Sequence, residues 1–220
     1  QPYLGVLPET FYARRLDLPE VAARGDSPFA NVDLVMLGDI SSADLPARGW
    51  EFLEEFVAEQ GGTLVVISGK QHFPQALDSP IAKLLLPVAN LRPVAFPDVP
   101  ELQDARNREF QLQLTSACDD EAAFHLAADS ARNRSIWAEL PGHSWGLTGD
   151  PKPGAWVLAN AHRPTSQPDA AGPSQPIPDV VVRSQPIIVA QHYGLGQVMW
   201  LGIDSTWRWR RRDDETCYHR

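Results

Sequence analysis

The order of apolar and polar residues predicts alternating strands and helices in the first half of the chain. An apolar run at residues 32–38 predicts a strand, and apolar positions at helical spacing predict a helix over residues 50–60, with glutamates on its other face. The pair Gly61-Gly62 is typical of a helix end. It leads into Thr63–Ile67, a run typical of a strand buried on both faces. We therefore expect a right-handed βαβ unit.

The rest of the chain predicts two short helices and four further strands. The helices are expected at residues 79–85 and 131–140, the first with Pro80 in its opening turn. Strict alternation over residues 109–115 predicts a strand with one wet face at an edge of the sheet. The tight turn at Gly194 and Gly196 predicts that the last two strands form an antiparallel hairpin. The three remaining strands are expected at residues 156–159, 186–190 and 197–203.

Length and composition restrict the class of protein. The 220 residues predict one domain, residues 1–220, with a proline-rich surface loop at residues 163–178. A formal net charge of −9 argues against nucleic acid as a partner, because binding phosphates requires a basic surface. Cys118 and Cys217 follow no metal or disulfide spacing and are expected to be free thiols. The start at Gln1, without methionine, indicates a piece of a longer protein. This segment shows no apolar stretch that predicts direct membrane contact.

Candidate chemistry follows the predicted central strand. The run from Ser68 to His72 offers a hydroxyl, a glycine, a cation and an imidazole where open α/β sheets hold their ligands. A strained nucleophile turn needs small residues around the nucleophile, but Ile67 and Lys70 stand there instead. We therefore expect Ser68 to hydrogen-bond locally. The alternative is a catalytic set of Ser68, His72 and Asp204.

Other residues at the same predicted edge are candidates for binding. Backbone N–H groups near Gly69 or Ser205 could hold a small anion. His143, His162 and His192 stand apart in sequence, so no metal site and no cofactor are predicted. The basic and aromatic run at residues 207–212 is expected to pack and form ion pairs first, and to contact an anion or partner second. The ligand-binding candidates are Asp39, Ser68, Gly69, Lys70 and Ser205.

Four segments carry a family resemblance. They are VDLVMLGDIS at residues 32–41, GGTLVVISG at 61–69, KPGAWVLA at 152–159 and YGLGQVMWLGIDSTWRWR at 193–210. Together with the amphipathic helix they resemble the class I glutamine amidotransferase-like domain of large bacterial, often planctomycete, membrane proteins, which can also carry a von Willebrand factor A-type domain. The resemblance extends from about residue 31 onward, and its last segment is the most specific.

The resemblance implies a fold and a role. It implies a flavodoxin-like, three-layer α/β/α fold with a mainly parallel sheet. True amidotransferases carry a cysteine where this chain has Ser68-Gly69-Lys70, and a His-x-Glu pair where it has residues 204–206. Hydrolysis through a cysteine intermediate therefore has no nucleophile and no base. The expectation is an inactive binding or assembly module of a membrane-anchored parent protein. Its expected partners are other domains of the parent, another protein or a second copy, any of which could cover an open sheet edge. A hydrolase or sugar-processing enzyme of the trehalose-utilisation type remains the alternative.

Overall fold

The structure, a computed structural model, describes residues 27–29, 32–96, 109–163 and 184–211, without the side chains of residues 210 and 211. This part of the chain forms eight strands and three α-helices, connected in places by 3-10 helices. The strands are β1 (Leu34–Leu37), β2 (Thr63–Ile67), β3 (Val88–Pro93), β4 (Gln111–Leu114), β5 (Leu147–Pro151), β6 (Trp156–His162), β7 (Pro186–Tyr193) and β8 (Gly196–Leu201). The helices are α1 (Ala47–Ala58), α2 (Pro80–Leu85) and α3 (Ser130–Glu139).

Six strands form one mixed sheet, in the order β1-β2-β8-β7-β6-β4. β1, β2 and β8 run parallel, whereas β8-β7, β7-β6 and β6-β4 are antiparallel pairs. β3 and β5 form a separate antiparallel pair. The predicted flavodoxin-like fold with a mainly parallel sheet is therefore wrong. The β7-β8 hairpin, correctly predicted, reverses the strand direction, and antiparallel neighbours do not need the crossover helices that build a helix-rich three-layer fold.

One face of the parallel half is covered by α1 and α2. The apolar stripe of α1, including Trp50, Leu53 and Phe56, is buried against this face. Each such side chain contributes about 1.5–3 kcal/mol when it is removed from water. In β2, Leu64 is fully buried while Val65 is only partly buried, and this alternation continues along the strand. The prediction of burial on both faces is therefore wrong for β2.

The antiparallel half has its own core. α3 and the 3-10 helices Ser116–Asp120 and Ala122–Phe124 pack on the face formed by β4, β6 and β7. Asp129 caps α3 by accepting a hydrogen bond from the Arg132 amide at 2.7 Å. Cys118 is a buried free thiol that donates to the Leu158 carbonyl at 3.0 Å. Trp137 of α3 and Leu112 of β4 belong to this core, which places α3 beside β4, the last strand of the sheet.

Two strands, β3 and β5, were not predicted from the sequence. Their sequences are VANLRP and LTGDP, with prolines and a glycine and without alternation. They are held by pairing with each other, including Val88 opposite Pro151, rather than by a local preference. The proline-rich loop predicted at residues 163–178, apart from Arg163, lies outside the described residues, as do Cys217 and Arg212.

Candidate functional site

The parallel strands β1, β2 and β8 end at one edge of the sheet and bring the predicted site residues to it. Asp39 follows β1, Ser68 and Gly69 follow β2, and Ser205 follows β8. Open α/β sheets bind ligands at this edge. The contacts here therefore decide whether the edge is a reactive site or a packed one.

The Asp39 carboxylate is fully engaged by the loop after β2. It accepts hydrogen bonds from the backbone amides of Gln71 at 2.7 Å, His72 at 3.0 Å and Phe73 at 3.2 Å. Gly69 makes this approach possible, because a Cβ on Gly69 would lie 2.0 Å from the Asp39 Cβ. We conclude that Asp39 and Gly69 fix the loop, which we call the Asp39 clamp.

Ser68 is buried at the start of this loop. The residue is 1% exposed and its amide donates to the Leu201 carbonyl at 2.8 Å. Its hydroxyl has no hydrogen-bond partner in the part of the chain that the structure describes. The predicted local hydrogen bond of Ser68 is therefore wrong. The structure does not join Ser68 to His72, whose amide belongs to the Asp39 clamp, and Asp204 is exposed beyond the end of β8.

Lys70 points its ammonium group at an aromatic ring. The Lys70 Nζ lies 5.5 Å from the ring centroid of Trp145, which is partly buried. Such a contact at an exposed site contributes about 0.5–1 kcal/mol. The cation predicted for ligand binding therefore has an intramolecular partner at the surface.

A serine-histidine pair does form at this edge, but from residues that the sequence pattern did not connect. His143 Nδ1 and the Ser205 hydroxyl are 2.8 Å apart, although the residues are separated by 62 positions. The backbone of His143 forms an isolated bridge with Phe110, which positions the imidazole. No local spacing in the sequence signals this pair, because a long-range backbone bridge creates it.

The surroundings of His143 favour a neutral, buried imidazole. His143 is 1% exposed and its ring contacts the rings of Phe110 and Trp209, with centroids 5.7 and 5.6 Å away. Burial lowers the pKa of His143 to about 4, and the nearby Arg208 guanidinium acts in the same direction. Arg208 is itself paired with Glu109 at 2.8 Å, so the predicted ion-pair role of this basic run is confirmed for Arg208.

These features are unfavourable for general base catalysis by His143. A general base works best with a pKa near the operating pH, and an imidazole with a pKa of about 4 is a weak base at pH 7. His143 Nε2 is buried without a hydrogen-bond partner among the described residues, so no carboxylate orients the ring as in a triad. The arrangement instead holds the segment after β8 against the bridge at Phe110.

Other reactive groups, whether buried or exposed, also have structural contacts. Burial raises the pKa of the Cys118 thiol to about 11, so the thiolate is disfavoured. His192 packs against Trp156, with ring centroids 4.8 Å apart. In the described ranges, no three His, Cys, Asp or Glu side chains come together where they could hold a metal ion. None of the described helices has the length and hydropathy needed to cross a membrane.

Comparisons with known proteins support the fold only. No family model matches the chain, and no curated protein matches it. The structure is similar to the cytoplasmic protein STM3548 from Salmonella typhimurium, with a TM-score of 0.53 and 15% identity, covering 93% of this chain and 72% of that chain. It is also similar to the cytoplasmic protein STM1381 from Salmonella typhimurium LT2, with a TM-score of 0.53 and 14% identity, covering 94% of this chain and 74% of that chain. At these identities the likeness concerns the fold alone.

Proposed function

We propose that this domain is a catalytically inactive binding or assembly module of a larger, membrane-anchored bacterial protein. The observation that supports it most is the state of Ser68, a 1% exposed residue whose hydroxyl has no hydrogen-bond partner, and so no imidazole, among the described residues. A serine nucleophile needs an adjacent base and access to substrate. Ser68 stands where the enzymes that this chain resembles display their nucleophile, but it is buried and has no base beside it among the described residues.

Two further features support an inactive edge. The three amides that the Asp39 clamp holds donate to a carboxylate of the same chain, so they are unavailable to a substrate oxyanion. His143, which is paired with Ser205, has a pKa of about 4, and no acid orients its Nε2 among the described residues. The resemblance to amidotransferase-like domains of membrane proteins supports the second half of the proposal, a module within a larger assembly.

Hydrolysis assays test the inactivity directly. We expect the purified chain to release no ammonia from glutamine and no product from nitrophenyl esters above the rate in buffer. The Ser68→Ala variant should give the same background. Turnover by the wild type that disappears in Ser68→Ala and in His72→Ala would contradict the proposal and favour the hydrolase alternative.

A further inference from the structure

The free edge of the sheet at β4 has a pattern of backbone groups that favours an added strand. Thr115 donates its amide to the Leu158 carbonyl on the β6 side, whereas Phe110 exchanges two hydrogen bonds with His143 on the other side. Because these directions alternate along a strand, the N–H and C=O groups of Leu112 and Leu114 point away from β6. In the described part of the chain β4 pairs as a strand with β6 alone.

The segment at His143 pairs with the residue just before β4 on this edge, but the pairing does not continue along β4. His143 lies antiparallel to Phe110, with hydrogen bonds of 2.9 and 2.8 Å between their backbones. A strand that continued this pairing would place Pro141 opposite Leu112. Proline has no N–H to donate, and residues 130–139 preceding it form α3. The bridge therefore occupies one position, and among the described residues no strand pairs with Leu112 or Leu114 on this side.

A groove runs along this open stretch. A cavity of about 530 Å³ lies beside Gln111–Leu114 and is closed on its other side by α3. Trp137 forms an apolar wall, and Gln113, Arg134 and His162 line the groove with polar groups. Four residues of extended chain span about 14 Å. The groove therefore matches a short extended peptide better than a folded surface.

The charge of the groove indicates the chemistry of its occupant. Arg134 is the charged residue lining it, and none of the described lining residues is acidic. Asp119 contacts a single nitrogen of the Arg134 guanidinium, at 3.1 and 3.3 Å, and does not itself line the groove. Guanidinium groups bind carboxylates through two parallel hydrogen bonds. An acidic side chain is therefore the complementary charge.

We propose that the β4 edge is a docking site for an extended, acidic peptide segment of a partner protein. The segment adds to the sheet antiparallel to β4, pairs with the backbones of Leu112 and Leu114, and places a carboxylate at Arg134. Strand addition of this kind obtains affinity from main-chain hydrogen bonds and specificity from alternate side chains. The inference rests on the proposed function, since it names the surface through which a binding module takes its partner.

Peptide binding tests this docking site. The probe is a fluorescein-labelled peptide of alternating valine and glutamate residues, measured by fluorescence anisotropy with the whole chain. We expect saturable binding that is about tenfold weaker for Arg134→Ala and for the same peptide with lysine replacing glutamate, because one charge-assisted contact is lost. N-methylation of every second peptide amide should abolish binding, since those amides would donate to β4.

A matched pair of variants separates the groove from the rest of the helix. Ala138→Trp fills the groove and should abolish binding, whereas Ala131→Trp, exposed on α3 two turns away and not lining the groove, should bind like the wild type. Absence of wild-type binding, or binding unaffected by Ala138→Trp, would overturn the proposal. So would slow amide exchange at Leu112 and Leu114 in the free protein, which would show that the chain's own residues or a second copy occupy the edge. The hydrolysis assays do not depend on these binding results, so a failure of one proposal can be distinguished from a failure of the other.

Discussion

The loops after β2 and β8 leave neighbouring parallel strands at the same edge, yet their serines have opposite surroundings. The Ser68 hydroxyl is buried without a hydrogen bond to any described residue. The Ser205 hydroxyl is partly exposed and bonded to His143 at 2.8 Å. The first loop is fixed by a carboxylate from β1, and the second by an imidazole from a distant bridge. The comparison shows that two loops at one sheet edge are held by different structural contacts, so position at this edge does not by itself identify a reactive group.

The largest effect should come from breaking the Asp39 clamp. Asp39→Ala removes the acceptor of three amide hydrogen bonds, and bonds to a charged group contribute about 1.5–3 kcal/mol each without adding fully. We expect the free energy of unfolding in urea to fall by about 3 kcal/mol. The control Asp33→Ala, at an exposed position, should stay within about 0.5 kcal/mol of wild type. Equal stability of the two variants would refute the clamp.

A pH titration of stability tests whether His143, which holds the loop after β8, is neutral in the folded chain. The pKa of His143 is about 4 in the folded chain and 6.5 as its ordinary value, so the unfolded state binds the proton first as pH falls. The contribution of a neutral His143 to the free energy of unfolding is complete above pH 6.5 and is lost as pH falls toward 4. Between pH 7 and 5 the loss is about 2 kcal/mol. The His143→Phe variant should lose about that much less stability over this range. Identical pH profiles would contradict a buried neutral imidazole.

Removing the hydroxyl of Ser205 should cost less. Ser205→Ala deletes one hydrogen bond to a buried imidazole, so we expect a loss of about 1 kcal/mol in the free energy of unfolding. In a His143→Phe background the same change should cost nothing, because the partner is already gone. A double-mutant cycle provides this comparison. Additive losses would show that the two side chains do not interact.

The smallest effect is expected at Ser68. Its buried hydroxyl forms no hydrogen bond with any described residue, and burying an unpaired hydroxyl is unfavourable. Ser68→Ala should therefore leave the free energy of unfolding unchanged within about 0.5 kcal/mol or raise it slightly. A loss comparable to that of Ser205→Ala in urea denaturation would show that the Ser68 hydroxyl has a partner in solution.

Local patterns predicted the elements that local forces determine. The strands β1 and β2, the helix α1 and the edge strand β4 follow from apolar spacing and from the glycines after α1. The prediction of a mainly parallel sheet was wrong, because the direction of β6 and β4 depends on long-range pairing. The strands β3 and β5 were missed, since Pro93 and Pro151 hide them from any period-two pattern.

The sequence predicted where the candidate site residues lie, but not which contacts they make. Asp39, Gly69 and Ser205 lie at the sheet edge as strand order suggests, because the carboxyl ends of parallel strands meet there. What holds them could not be inferred. The contact between Gly69 and Asp39 depends on how closely two loops approach, and the pairing of His143 with Ser205 depends on the bridge at Phe110.

The central claim is that neither serine at this edge is an active nucleophile, and labelling with a serine-directed fluorophosphonate tests it most directly. The reagent phosphonylates hydroxyls that a neighbouring base activates, and peptide mass spectrometry identifies the modified residue. We predict no adduct on Ser68 or Ser205 in the folded chain at pH 7.5, under conditions that fully label a serine hydrolase. A stoichiometric adduct on either serine would contradict the account.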